Sequence, residues 1–245
     1  MTEDASANQQ RPKNPILYHR PRPISAELDA ATSLRPLTDF SFARPTNSVV
    51  LGATELPSAM HHYPIVFTTT GQPAAVAVLG LEQDTNLFVN ADGTWRSDTY
   101  IPAYIRRYPF LFLERADSPE LTLCVDLECD RLTQSDEYPL FANGQPTQLT
   151  QDALNFCREF HEQLGVTAQF VTALADNELL VDSQARVTTP QGRQVTLNQL
   201  QIIDRGKFDA LPDEVFLDWR RRGWLSLVYS HFLSIENWAR LGRYL

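Results

Sequence analysis

The stretch Tyr100–Glu114, YIPAYIRRYPFLFLE, decides how the chain is read. Ile101, Tyr104, Ile105 and Tyr108 recur at helical spacing and predict a short helix that keeps them on one side. Pro102 suits the first turn, where a missing N–H costs nothing. Pro109 ends the helix, because it lacks the N–H and restricts the residue before it. Phe110 to Leu113 then has the unbroken apolar character of a buried strand. This helix-to-strand junction is expected at the centre of the fold, with Tyr108 and Phe110 buried. Arg106 and Arg107 ride on the same helix. One reading pairs them with some of the 30 acidic residues; the other turns them to an anionic ligand. Neighbours on a helix point about 100° apart, so the two are expected to divide their work. One would be held by a carboxylate or by backbone carbonyls. The other would face a pocket or interface lined by aromatic rings, where a guanidinium stacks and still grips an anion.

Upstream, residues 1–13 read as a disordered lead, and residues 14–60 as an arm whose first part, Asn14 to Asp39, is extended and proline-rich. Val49 to Leu51 predicts a short strand, and Thr54 to Met60 a short helix or turn with Glu55 near its start. Tyr63 to Thr70 and Ala74 to Leu79 are rich in β-branched and apolar residues and predict paired strands around the Gly71–Pro73 turn. Leu87 to Val89 predicts a third strand, and Asp92-Gly93 a tight turn.

Downstream, Glu114 to Glu120 is expected to turn the chain, and Leu121 to Leu127 alternates as a half-buried strand. Tyr138 to Pro146 reads as a surface loop around Asn143-Gly144. Ala153, Cys157, Phe160 and Leu164 fall on one helical stripe, so a helix is expected from about Thr150 to Ala175, bent or broken at Gly165. Leu179 to Thr189 and Val195 to Ile203 predict a hairpin. Asp209 to Trp219 and Trp224 to Leu241 predict two helices separated by Gly223. The expected class is α+β. An antiparallel, β-rich N-terminal part with an inserted short helix precedes a long helix, a β-hairpin and a C-terminal helix pair. Residues 14–245 are expected to form a single domain.

Composition narrows the function classes. The 245 residues are 43% hydrophobic, enough for a sizeable core. A formal charge of −9 argues against nucleic acid as a partner. No apolar run reaches the length of a membrane span. The polar, acidic N-terminus lacks a signal-peptide core, so cytoplasmic residence is the simplest expectation, with export that leaves the N-terminus intact as the alternative.

Neither a glycine-rich phosphate loop nor a nucleophile elbow is present, and no cofactor is expected. His61-His62 would need distant partners such as Asp126, Glu128 or His161 to hold a metal, and no metal is expected. Cys124 and Cys157 read as small buried residues. His161 and His231 lie within helices, where a core or interface contact is the plain reading. Asp126 and Glu128 share a strand face and are a candidate carboxylate pair. Arg220, Arg221 and Arg222 between Trp219 and Trp224 either complement a helix dipole or dock an acidic partner.

The segments FSFARPTNSVVL, HYPIVFT, NLFVNADGTW, YIPAYIRRYPFLF, YPLF and LPDEVFLDWRRRGWLSLVYSHFLSIENWARL stand in this order over about residues 12 to 241. In these the chain resembles the bacterial SapC family. The family takes its name from a surface-layer association, and members have been labelled peptide-transporter permeases; a chain without a membrane span departs from that label. Relatives are found beside TonB-dependent receptors, tryptophan-halogenase-like proteins and cupin-like proteins. The resemblance thus implies a soluble accessory protein linked to nutrient uptake or to processing of an imported compound, binding a protein partner or a small anionic ligand. Two other readings stay open. One is an enzyme on an amino-acid-like or peptide substrate, with Arg44, Arg106 or Arg107 holding a carboxylate; the other is a surface-layer component. The candidate binding residues are Arg44, Tyr104, Arg106, Arg107, Tyr108 and Arg221. A homo-oligomer is a further expectation.

Overall fold

The structure is a computed structural model that describes residues 15–115 and 118–245. The lead expected over residues 1–13 lies outside them. The class is α+β. In chain order come β1 (Pro21–Pro23), β2 (Thr32–Leu34), β3 (Ser48–Leu51), α1 (Leu56–Ala59), β4 (Ile65–Thr68) and β5 (Ala74–Val78). They are followed by α2 (Ala103–Arg106), β6 (Phe110–Arg115), β7 (Ser118–Asp126), β8 (Leu132–Gln134), β9 (Phe141–Ala142) and β10 (Gln145–Pro146). The long α3 (Gln148–Asp176), the hairpin β11 (Leu180–Thr188) and β12 (Gln194–Ile203), and α4 (Arg205–Asp209), α5 (Asp213–Arg221), α6 (Trp224–Ser234) and α7 (Asn237–Arg243) complete the fold.

Two antiparallel sheets carry most of the strands. One has the order β11-β12-β4-β5-β3, the other β1-β7-β6. The N-terminal arm is therefore knitted in: Pro21–Pro23 pairs with Cys124–Asp126, and Thr32–Leu34 with Leu132–Gln134. The C-terminal hairpin joins the N-terminal strands through a single residue pair, Gln201 opposite Phe67. Leu87–Val89 does not form a strand; Val89 makes an isolated bridge to Trp95. Tyr138–Pro146 is tighter than a loop. Asn143 (φ 51°) and Gly144 (φ 74°) close a two-residue hairpin, the conformation these residue types favour. The turn expected over Glu114–Glu120 is narrower, since β6 runs to Arg115, which faces Ser118; the two residues between lie outside the described ones.

The helix α3 runs unbroken through Gly165. That glycine is solvent-exposed, and a helix-interior glycine costs only about 1 kcal/mol relative to alanine. Burial of Cys157, Phe160, Phe170, Val171 and Leu174 along one stripe outweighs it.

The two expected C-terminal helices are four. α4 stops at Asp209, Pro212 stands at the N-cap of α5, and Asp204 caps α4 by accepting from Lys207 N at 2.9 Å. Gly223, at φ 75°, separates α5 from α6. The chain turns again after Ser234, whose carbonyl is taken by the Asn237 side-chain amide at 3.1 Å, while Trp238 N bonds Ile235 O.

α6 lies against the seam between β4 and β12. The buried His231 ring spans that seam: Nδ1–H donates to Ile65 O (2.8 Å) and Nε2 accepts from Ile203 N (3.2 Å). Continuing the Gln201–Phe67 register would set Ile203 opposite Ile65, so the imidazole replaces a ladder bond between strands that have splayed apart. Burial pushes this histidine down to about 4 and keeps it neutral.

Candidate functional site

α2 begins at Pro102, which has no side-chain oxygen to cap the helix. Glu55 supplies the acceptor from a distant turn. Its Oε1 accepts from Ala103 N (2.6 Å) and from the Tyr100 hydroxyl (2.9 Å), and its Oε2 accepts from Gly52 N (2.8 Å). The carboxyl is buried, and burial raises it above the usual range against the pull of these donors. Burial, together with the Glu55 charge, pushes the Tyr100 hydroxyl up to about 12.

Above this floor lies a cleft of about 310 Å³ between α2 and α3, lined by Glu55, Tyr100, Arg106, Phe156, Glu159 and Gln163 among others. Arg106 is exposed in it. Its Nε donates to Ile101 O (2.9 Å) and its Nη2 to the Tyr100 hydroxyl (3.1 Å). The guanidinium carbon lies 5.1 Å from the Phe156 ring centroid and 5.7 Å from that of Tyr100. Among the described residues no carboxylate lies within ion-pairing distance of it.

Arg107 points elsewhere. Its guanidinium carbon sits 4.5 Å from the Tyr104 ring centroid, 4.9 Å from Phe160 and 5.4 Å from Tyr18. Its Nε is shielded from solvent and has no hydrogen-bond acceptor among the described residues. Tyr104 lends its ring to this box and its hydroxyl to Ile16 O at 2.7 Å.

The other candidates stand apart from the cleft. Arg44 closes the Asn90–Gly93 turn by donating to Asn90 O (2.8 Å) and Ala91 O (3.0 Å). Tyr108 is buried, with Phe42 stacked on it at 4.2 Å and 18°, and its peptide to Pro109 is cis. Arg221 is exposed at the end of α5, where its neighbour Arg222 pairs with Asp218 at 2.7 Å and stacks on Trp224.

Asp126 and Glu128 do not form a working carboxylate pair. Asp126 is fully buried and takes its bonds from the arm, from His19 N (3.0 Å) and Arg20 N (2.8 Å), while Glu128 is exposed. Cys124 and Cys157 are buried, and burial pushes each thiol up to about 11.

The residues that sequence reasoning missed are Glu55 as the organiser of α2, and Phe156, Glu159 and Gln163 as the α3 wall. One signal was present: a helix opening on proline leaves Ala103 N–H in need of an acceptor from outside.

The molecule is an α+β protein with a cleft of mixed charged and aromatic lining where a four-residue helix meets the long one. It belongs to the SapC family, whose model matches residues 25–241, nearly the whole chain. No curated protein and no solved structure gives a significant match. Among the described residues no helix is long and apolar enough to cross a membrane.

Proposed function

We propose that the protein is an accessory binding protein that holds a small organic anion with an apolar flank in the α2–α3 cleft. The observation that carries this is Arg106. It is fixed by Ile101 O and the Tyr100 hydroxyl, stands beside two aromatic rings, and has no carboxylate within ion-pairing distance among the described residues; its nearest charge link is to Glu55 through the shared Tyr100 hydroxyl. A planar guanidinium with free donors suits a carboxylate, and the Tyr100 and Phe156 rings suit an apolar group beside it. Binding is favoured over catalysis because Glu55, the carboxyl that burial raises, already accepts three internal hydrogen bonds and holds the floor of the cleft. Cytoplasmic residence and a link to uptake or processing of an imported compound belong to the same proposal.

Isothermal titration with acetate, benzoate and phenylacetate tests it. Benzoate or phenylacetate binds the wild type more tightly than acetate, and Arg106→Met weakens that binding by roughly 10-fold or more, as expected for losing a charge-assisted contact of about 1.5–3 kcal/mol. Arg106→Met stays folded with an unchanged melting midpoint. Equal affinities for wild type and variant would exclude the cleft as the site.

A further inference from the structure

The cleft between α2 and α3 is lined by more carboxyls than cations. Among the described residues Arg106 is its one cation, against Glu55 and Glu159. Glu55 is already occupied, because its two oxygens accept from Gly52 N, Ala103 N and the Tyr100 hydroxyl. Glu159 is not. It is exposed on α3, makes no ion pair, and its carboxylate accepts no hydrogen bond among the described residues. A ligand that is only an anion reaches Arg106 in a cleft it shares with this free carboxylate, and a like charge works against it.

The α3 wall is one stripe. Phe156, Glu159, Phe160 and Gln163 line the cleft from a single helix face, the spacing that stacks side chains one above another. Arg106 marks one end of that stripe, with its guanidinium carbon 5.1 Å from the Phe156 ring centroid. Glu159 stands one turn further on, about 4.5 Å along the helix axis. The two opposite charges therefore share a cleft while staying beyond ion-pairing distance of each other. An α-amino acid suits such a gap. Its carboxylate carbon and ammonium nitrogen are about 2.5 Å apart across a single Cα. A charge-assisted hydrogen bond of about 2.8 Å at each end then reaches a guanidinium on one side and a carboxylate on the other. In a peptide each further residue separates the two charges by about 3.5 Å more. The cleft volume of about 310 Å³ also belongs to the small end of ligand sites.

We propose that the anionic group held by Arg106 is the carboxylate of a free α-amino acid with an apolar side chain, whose ammonium group is taken by Glu159. This rests on the reading of the cleft as an Arg106 carboxylate site and adds the second charged contact that defines the ligand class. A zwitterion brings no net charge, so the excess of carboxyls does not oppose it. The Phe156 and Tyr100 rings flank Arg106 and offer the apolar side chain its surface.

Isothermal titration of the full chain with phenylalanine, 3-phenylpropanoate and phenethylamine tests it. The second ligand lacks the ammonium group and the third lacks the carboxylate, on the same skeleton. Phenylalanine binds at least about tenfold more tightly than either, the gain from one charge-assisted contact. Glu159→Gln removes the advantage over 3-phenylpropanoate, and Arg106→Met removes the advantage over phenethylamine. Position 159 is exposed and glutamine is a good helix former, so circular dichroism of Glu159→Gln matches the wild type. If 3-phenylpropanoate binds through Arg106 and phenylalanine binds no more tightly, the amino-acid proposal is overturned while the carboxylate site stands. The proposal is also overturned if the advantage of phenylalanine survives in Glu159→Gln. If none of the three binds at millimolar concentration, the proposal and the carboxylate site fall together.

Discussion

Arg106 and Arg107 are chain neighbours with opposite surroundings, and the turn of the helix between them is enough to explain it. Arg106 reaches back to Ile101 O and outward to the cleft, whereas Arg107 turns in among Tyr18, Tyr104 and Phe160. Arg107→Ala is therefore expected to cost about 2 kcal/mol, as three desolvated ring contacts and the packing of its stem are lost. Denaturant titration measures this, and a loss below about 0.5 kcal/mol speaks against the box as a structural element. His231 sets a pH dependence. Its folded value near 4 lies below the ordinary value of 6.5, so the unfolded chain binds the proton more readily. Its contribution is complete above pH 6.5 and is lost as the pH falls towards 4, up to about 3 kcal/mol in all. His231→Gln is expected to be less stable at pH 7, yet to lose about 2 kcal/mol less than the wild type between pH 7 and pH 4.5. Parallel pH profiles for the two proteins contradict that role. The arginines divide differently from the expectation: Arg106 both donates to a backbone carbonyl and faces the cleft, while Arg107 is held among rings rather than by a carboxylate or a carbonyl. At this scale the burial of Tyr108 was legible, because it follows from local spacing. Glu55 as an acceptor for Ala103 N–H was not, because 48 residues separate the partners.

Among the elements, the β6 strand and the α7 dock make the clearest demands. Phe110 is 5% exposed and pairs across to Val125 in β6–β7, next to the hydroxyl of Tyr18, which donates to Phe110 O at 2.8 Å. Phe110→Ala is expected to cost roughly 3–5 kcal/mol, the usual result of emptying a large aromatic site; a loss under about 1 kcal/mol in urea titration rules out a core role. Gly242 lets α7 close on β11: a Cβ there would lie 2.6 Å from Val187 Cγ1 and 3.1 Å from Thr188 O. Gly242→Ala should push the two apart and cost about 1–3 kcal/mol, the range for overpacking, with faster amide exchange in β11 as its local sign. An unchanged exchange rate counts against close approach as the reason for the glycine. Elements with a strong local period, α3 and the β11–β12 hairpin, were legible to within a few residues. The break between α6 and α7 was not, because it depends on Asn237 reaching Ser234 O and the carbonyls of Met60 and Tyr63. The pairing of β12 with β4 was also hidden, since strand order depends on contacts distant along the chain.

For the whole molecule, the arm is stitched to β7 and β8, and the C-terminal hairpin to β4. We propose that these distant pairings make residues 15–245 one folding unit. Tryptophan fluorescence and far-UV circular dichroism should then report a single, coincident unfolding transition, and two separated transitions contradict one domain. The α+β class was readable from the order of strand-like and helix-like segments, while the cleft was not, because its two walls, α2 and α3, come together only in the fold. The central claim is that this cleft binds an organic anion through Arg106. Titrating benzoate into isotope-labelled protein and following amide and arginine Nε–H signals tests it most directly. The account predicts saturable shifts at Arg106 Nε–H and at residues 54–55, 100–106 and 156–163, absent in Arg106→Met. Shifts that leave these residues untouched, or that persist unchanged in Arg106→Met, contradict it.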